Sequence, residues 1–193
     1  MASQGPNSPG TMANNNSSGT YAWSNVDNAK TSDNSYSSST ASKSAETTQI
    51  LVASNFGFTV PTGATINGVT VAIERKASLS DGNFWYARDN LLKLVKGGSL
   101  SGDNKAATST NWPTSDGTAS YGGASDLWGN TLTAEDVNAS NFGCALQAVY
   151  KGTVPKIYNA PFVDHITITV AYTESGGASG VPKQQMHYAR QRR

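Results

Sequence analysis

A regular alternation of apolar and polar residues is the feature of this sequence that most limits its fold. Val69, Val71 and Ile73 share one parity within residues 67–76, and the residues between them are small or polar. Residues 163–172 alternate in the same way, with isoleucine or valine at every second position from 166 to 170. Successive side chains of a strand point to opposite faces of its sheet, so both segments predict strands that bury one face.

Other segments of strand length surround these two and indicate an all-β fold. They are apolar stretches bounded by Gly, Asn, Ser and Pro, at residues 49–53, 56–60, 83–95 and 142–150. Charged residues make up 14% of the chain, well below the roughly 25% of an average soluble domain, which argues against long solvated helices. One short helical turn is expected within Thr131–Ala139, with Thr133 as its N-cap. We therefore predict an antiparallel β-sandwich with a jelly-roll-like topology.

The composition divides the chain into three parts. Residues 1–20 are rich in Ser, Asn, Gly and Pro, so they are expected to form an extended or disordered N-terminal arm that orders against a neighbouring molecule. Residues 21–173 hold the apolar segments and form the predicted β-sandwich domain. Residues 174–193 are a Gly-rich linker followed by a basic C-terminal tail. Deletion of the N-terminal arm is expected to leave the sandwich folded.

The charge pattern argues against nucleic-acid binding by the body of the protein. The net charge is +1, and several of the basic residues lie in the tail: Lys183, Arg190, Arg192 and Arg193. The rest of the chain therefore lacks the broad basic field that phosphate contacts require. The tail is a candidate for docking on an acidic partner surface or on nucleic acid, and a solvated, disordered terminus is the alternative. No apolar run reaches the roughly 18 residues of a membrane span. The first residues lack the basic and apolar regions of a secretory signal.

The sequence offers little for catalysis or metal binding. Asp164 and His165 are the one suggestive pair in the body, but neighbours on a strand point to opposite faces and do not pair side by side. Cys144, the single cysteine, lies in an apolar run and is expected to be a core residue. We expect no catalytic residue, no metal site and no cofactor. Acidic and amide residues without the spacing of a calcium loop are assigned to turns, at 81–83, 103–104 and 116–117.

Aromatic residues in predicted loops are the remaining candidates for ligand binding. Trp85, Trp112 and Tyr121 lie in or beside loops, where an aromatic ring can stack on a sugar while Asn and Asp bind its hydroxyls. Trp and Tyr are also enriched in buried loop cores and at subunit interfaces. Packing is therefore the favoured role for these rings, and glycan stacking is the alternative.

Six motifs taken together resemble a recurrent β-sandwich family found among virion proteins of tailed bacteriophages. They extend over about residues 50–173 and are SNFGF (54–58), PTGATINGVTVAIER (61–75), LVKGG (94–98), YGGASDLWG (121–129), AEDVNASNFG (134–143) and VDHITITVAYT (163–173). The resemblance carries over no catalytic residue. It implies a structural or adhesive role on the surface of a virus particle.

These expectations combine into one functional prediction and one alternative. The prediction is a non-enzymatic virion structural protein that decorates a phage capsid or forms a head fibre. Such a protein is made in the host cytoplasm, forms homo-oligomers, and is attached to capsid or other virion proteins through its terminal arms. The alternative is a carbohydrate-binding adhesin on a phage tail or bacterial surface, which would bind a host surface glycan through the loop aromatics.

Overall fold

The computed structural model describes residues 1–40, 46–78, 86–151 and 160–175, which form two antiparallel β-sheets packed face to face. In chain order the elements are β1 (Ala2–Asn7), β2 (Thr11–Asn15), a 3-10 helix (Val26–Ala29), β3 (Ser37–Ser38), β4 (Glu46–Thr47), β5 (Ile50–Ser54), β6 (Thr65–Ala77), β7 (Tyr86–Lys96), β8 (Ser99–Ser101), β9 (Gly117–Gly122), α1 (Ala134–Asn138), β10 (Gly143–Lys151) and β11 (Pro161–Thr173). The prediction of an all-β antiparallel sandwich is confirmed, and the jelly-roll topology stays a prediction. Within the described residues, no helix is long and apolar enough to cross a membrane.

Each sheet contains one long strand that is flanked on one side by two short strands. In sheet A the order is β1-β11-β6-β9, and β3 also pairs with β11 on the side of β1. In sheet B the order is β2-β5-β10-β7-β8, and β4 also pairs with β10 on the side of β5. The edge strands are therefore β1, β3 and β9 in sheet A, and β2, β4 and β8 in sheet B.

The two alternating segments form the neighbouring long strands β6 and β11. Val71 and Ile73 are fully buried in the core between the sheets, as are Ile166 and Ile168. The register places Val71 opposite Ile168 and Ile73 opposite Ile166. Burial of one such side chain stabilises the fold by about 1.5–3 kcal/mol. A slip of one residue would turn this apolar set towards solvent, so the pattern fixes the register.

Residues 1–20 are part of the sandwich and do not form the separate arm expected from the sequence. β1 pairs with β11 and β2 pairs with β5, so this segment closes one edge of each sheet. Met12 is buried in the core. The side chain of Asn14 accepts from Trp23 N at 2.9 Å and donates to Trp23 O at 2.7 Å. Composition gave no sign of this because backbone hydrogen bonds, which any side chain permits, hold most of the segment.

Thr133 caps α1, as predicted. Its hydroxyl accepts from Asp136 N at 3.2 Å, and the Asp136 carboxylate accepts from Thr133 N at 2.9 Å, which completes a capping box. At the end of the helix, the amide side chain of Asn138 accepts from Val60 N at 2.8 Å and donates to Val60 O at 2.9 Å. Asn138 thereby ties the helix to the segment that leads into β6.

Cys144 is fully buried in β10, as predicted. Burial raises the pKa of its thiol to about 12. The thiolate, which is the reactive form, is therefore not populated at neutral pH, and Cys144 acts as a small core residue.

The two ends of the sandwich carry different parts of the chain. At one end, called the proximal end here, β11 finishes at Thr173 and Ala2 of β1 lies opposite Tyr172. The opposite, distal end holds Ala77 of β6 and Pro161 of β11, which are paired. At roughly 3.3 Å per residue, the 13 residues of β11 separate the two ends by about 40 Å.

Candidate functional site

A shallow depression on the outer face of sheet A brings together polar side chains from three strands. Thr118 of β9, Glu74 of β6 and His165 of β11 form one row across the sheet, because Glu74 lies opposite each of the other two in the register. The remaining lining residues are Pro6, Ala72 and Thr167, around a volume of about 250 Å³. The depression therefore offers hydroxyl groups, one carboxylate and one imidazole.

His165 is held by the residue that follows β1. Its Nε2 atom lies 2.8 Å from Ser8 Oγ. Among the described residues, no carboxylate forms an ion pair with the His165 ring. In a Ser-His-Asp triad a carboxylate orients the imidazole and stabilises its charged form. Ser8 and His165 form a hydrogen-bonded pair on this surface, and the described residues add no such carboxylate contact.

Asp164 and His165 lie at an irregularity of β11, where the register with β6 shifts between Val163 and His165, and no hydrogen bond or ion pair between the two side chains is found among the described residues. Asp164 is buried and accepts backbone hydrogen bonds from Asn34 at 3.2 Å and from Asp33 at 3.4 Å. Burial raises the pKa of Asp164, and these two hydrogen bonds act in the opposite direction. Asp164 thus fastens the loop before β3 to β11.

Trp112 and Tyr121, proposed from the sequence as sugar-stacking residues, lie inside the sandwich around the carboxylate of Asp89. Trp112 is 0% exposed and Tyr121 is 7% exposed. The Trp112 indole donates to Asp89 Oδ1 at 2.8 Å, and the Tyr121 hydroxyl donates to Oδ2 at 2.6 Å. The backbone N–H of Ala107 donates to Oδ2 at 3.0 Å. Neither ring offers an open face to a sugar in solvent.

Arg75 completes this cluster and balances its charge. Its Nη1 donates to Asp89 Oδ1, and both side chains are buried. Its guanidinium carbon lies 4.7 Å from the ring centroid of Trp112 and 5.5 Å from that of Tyr121. Burial, followed by the negative charge of Asp89, raises the pKa of Tyr121, so its hydroxyl stays a donor. Because Arg75 belongs to β6 and Asp89 to β7, the cluster connects sheet A to sheet B.

The alternation in β6 contains the sequence signal for this cluster. Arg75 has the same parity as Val69, Val71 and Ile73, so the period of two places a guanidinium between the sheets. A buried cation requires an anion beside it. The identity of that anion does not follow from the sequence, because Asp89 lies on a strand of the other sheet.

The other candidate residues have the following positions. Trp85 and the tail residues Lys183, Arg190, Arg192 and Arg193 lie outside the described residues, as do Asp81 and Asn83. Asp116 forms an ion pair with Lys76 at 3.2 Å, and the side chain of Asn104 accepts from Leu92 N at 2.8 Å. The described part of the chain contains no group of three or more His, Cys, Asp or Glu residues that could hold a metal ion.

Comparison with known proteins finds no family model, no curated protein and no solved structure that matches this chain. The two-sheet sandwich and the groups described above are therefore the basis for a functional proposal.

Proposed function

We propose that this protein is a non-enzymatic structural protein of a bacteriophage particle, which decorates the capsid or forms a head fibre. The observation that carries the proposal is that the first and last strands of the sandwich meet at one of its two ends. The start of β1 and the end of β11 lie side by side at the proximal end, about 40 Å from the distal end. A domain whose flanking sequence leaves from one end can be fastened there while its other end stays exposed.

The distribution of charge supports attachment through the C-terminal tail. The sequence after Thr173 carries four basic residues against the single acid Glu174. In the body, lysines lie close to carboxylates, as in the pairs Lys76–Asp116 at 3.2 Å and Lys105–Asp126 at 2.9 Å. An unbalanced basic segment is attracted to an acidic surface. Because β1 and β2 belong to the sandwich, we assign attachment to the tail and not to residues 1–20.

The burial and hydrogen bonding of two carboxylates and of the thiol support a role without catalysis. Asp89 and Asp164 are occupied by donors from the protein itself, and Cys144 is buried. The motifs that resemble phage virion proteins support the assignment to a particle. Burial of Trp112 and Tyr121 removes the support that these two rings gave to the adhesin alternative.

The test is sedimentation of the purified protein with emptied heads, and separately with isolated tails, of the phage that encodes it. The full chain is expected to bind heads saturably. A variant that lacks residues 176–193 is expected to stay folded and to lose at least tenfold in affinity.

A matched pair of charge variants shows whether the tail is the attachment. Arg192→Gln with Arg193→Gln is expected to weaken binding, whereas Lys30→Gln with Lys93→Gln in the body is expected to leave it unchanged. Equal binding by the full chain and the tail deletion would contradict attachment through the tail. Binding to tails alone would contradict the capsid assignment and favour the adhesin.

A further inference from the structure

We propose that β9 is a self-pairing edge, through which two copies of this chain associate by antiparallel pairing of their β9 strands. An edge strand carries N–H and C=O groups without partners in its own sheet. Proteins usually block such edges with proline, charge, a bulge, short length or a covering segment. Among the edges that the described residues form, β9 extends over 6 residues without a proline or a charge.

The opposite edge of sheet A is blocked in two ways. β1 carries Pro6 and has an irregular register between Gln4 and Asn7. β3 is covered by Ser24, because Ser24 N donates to Ser38 O at 2.7 Å and Ser38 N donates to Ser24 O at 3.2 Å.

The edges of sheet B are shorter. β8 has a length of 3 residues. β2 has a length of 5 residues, and beside it the side chain of Asn14 bonds to the backbone of Trp23. The carbonyl of Thr47 in β4 accepts from Thr20 N at 3.0 Å and from Tyr21 N at 3.4 Å.

The free backbone groups of β9 can be identified from the hydrogen-bond pattern. Gly123 N donates to Val69 O of β6 at 3.1 Å. Bonding direction alternates along an antiparallel ladder, so the odd-numbered residues of β9 bond to β6. Thr118 and Ser120 then direct their N–H and C=O groups away from the sheet, and Gly122, whose φ is 69°, ends the extended strand. Thr118 and Ser120 are exposed, and no other described residue bonds to these groups.

The sequence of β9 is suited to pairing with itself. It reads Gly117-Thr-Ala-Ser-Tyr-Gly122 and contains no charge and no proline. Antiparallel pairing about a twofold axis at Ser120 sets this residue opposite its own copy and sets Thr118 opposite Gly122. The outward N–H and C=O groups of Ser120 then meet those of its own copy. Such an isologous contact closes at a dimer and leaves neither β9 edge free.

No like charges oppose one another in this arrangement. β9 itself carries no charge, and the chain leaves the strand in a turn over Gly123–Asp126, where Asp126 N donates to Gly123 O at 3.1 Å. Like charges directly opposite would oppose the pairing. Their absence, together with the equal length of the two strands, favours a second copy over a strand of another protein.

The test is analytical ultracentrifugation of the full chain over a wide range of concentrations. The full chain is expected to show a reversible monomer–dimer equilibrium. Ser120→Pro removes an outward N–H that β6 does not use, which an edge strand tolerates, and it is expected to weaken dimerisation at least tenfold. Ser120→Ala keeps that N–H and is the matched control, with dimerisation equal to that of the full chain.

A crosslinking experiment keeps the proposal testable if Ser120→Pro does not fold. In a hydrogen-bonded antiparallel pair the Cα atoms lie about 5.5 Å apart, which is within the range of a disulfide. Ser120→Cys is therefore expected to form a covalent dimer on oxidation, and Ser125→Cys, exposed and outside β9, is the control that does not. A chain that stays monomeric at every concentration overturns the proposal, as does failure of Ser120→Cys to crosslink. Neither result bears on attachment through the tail.

Discussion

Arg75 of β6 and Asp89 of β7 form an ion pair that is buried between the two sheets of the sandwich. Asp89 also accepts from the side chains of Trp112 and Tyr121 and from the backbone of Ala107. The pair thus has its charges balanced and its acceptor atoms occupied. A shift of one sheet against the other would separate these two charges inside the protein, away from water. The pair therefore helps to fix the relative position of the two sheets.

Removal of the charge of Asp89 is expected to destabilise the protein strongly. Asp89→Asn keeps the shape of the side chain but leaves the guanidinium of Arg75 buried without an anion. The free energy of unfolding, measured by urea denaturation, is expected to fall by about 3–5 kcal/mol. Addition of Arg75→Met to this variant is expected to recover part of the loss, because no buried charge then remains.

The control for this prediction is Asp27→Asn, which breaks the surface pair of Asp27 with Lys30 at 2.7 Å. Exposed pairs contribute roughly 1 kcal/mol or less. An effect of Asp89→Asn no larger than that of Asp27→Asn would contradict the assigned role of the buried pair.

The buried thiol of Cys144 is expected to make stability depend on pH in the alkaline range. Its pKa is raised from 9.0 to about 12 in the folded protein, so above pH 9 the unfolded chain loses this proton while the folded chain keeps it. The free energy of unfolding therefore falls as pH rises from about 9 towards 12, by up to about 1.4 kcal/mol for each pH unit. The measurement is the free energy of unfolding at pH 8 and pH 10 for the full chain and for Cys144→Ala.

The full chain is expected to lose more stability than Cys144→Ala between these two pH values. The comparison removes the contribution of the buried tyrosines, which both proteins contain. A thiol-specific reagent is expected to react slowly with the folded protein and rapidly in denaturant. Rapid reaction without denaturant, or equal pH dependence of the two proteins, would rule out this account of Cys144.

Asn138 is expected to contribute to stability through its two hydrogen bonds to the backbone of Val60. Asn138→Ala removes both bonds and frees the end of α1 from the segment before β6, at a cost of about 1–2 kcal/mol. Asn141→Ala is a matched control, because Asn141 is also exposed but its side chain makes no hydrogen bond with the described residues, and it is expected to change stability by less than about 0.5 kcal/mol. Thermal unfolding of the two variants measures the difference, and equal melting temperatures would contradict it.

Deletion of residues 1–15 is expected to lower the stability of the sandwich. The deletion removes β1 and β2, the buried side chain of Met12 and the bonds between Asn14 and Trp23. Loss of Met12 alone is worth about 1.5–3 kcal/mol, so we expect a total of about 3 kcal/mol or more. The matched deletion of residues 176–193 is expected to leave the melting temperature unchanged. A truncated protein as stable as the full chain would show that β1 and β2 are dispensable.

The parts of the fold that follow from local pattern were predictable, and the parts that depend on distant contacts were not. The alternation at Val69–Ile73 and in residues 163–172 predicted β6 and β11, and Thr133 predicted the cap of α1. β1 and β2 were missed because their sequences are polar and their pairing uses the backbone. Trp112 and Tyr121 are far from Asp89 in sequence, so their shared acceptor could not be read from their loop positions.

The most direct test of the proposed function is quantitative mass spectrometry of phage particles purified on a density gradient. The account predicts that the protein bands with intact particles, in a fixed ratio to the major capsid protein. It also predicts that the protein stays with heads when tails are removed. Its absence from particles, with the protein recovered only in the soluble lysate, would contradict the central claim.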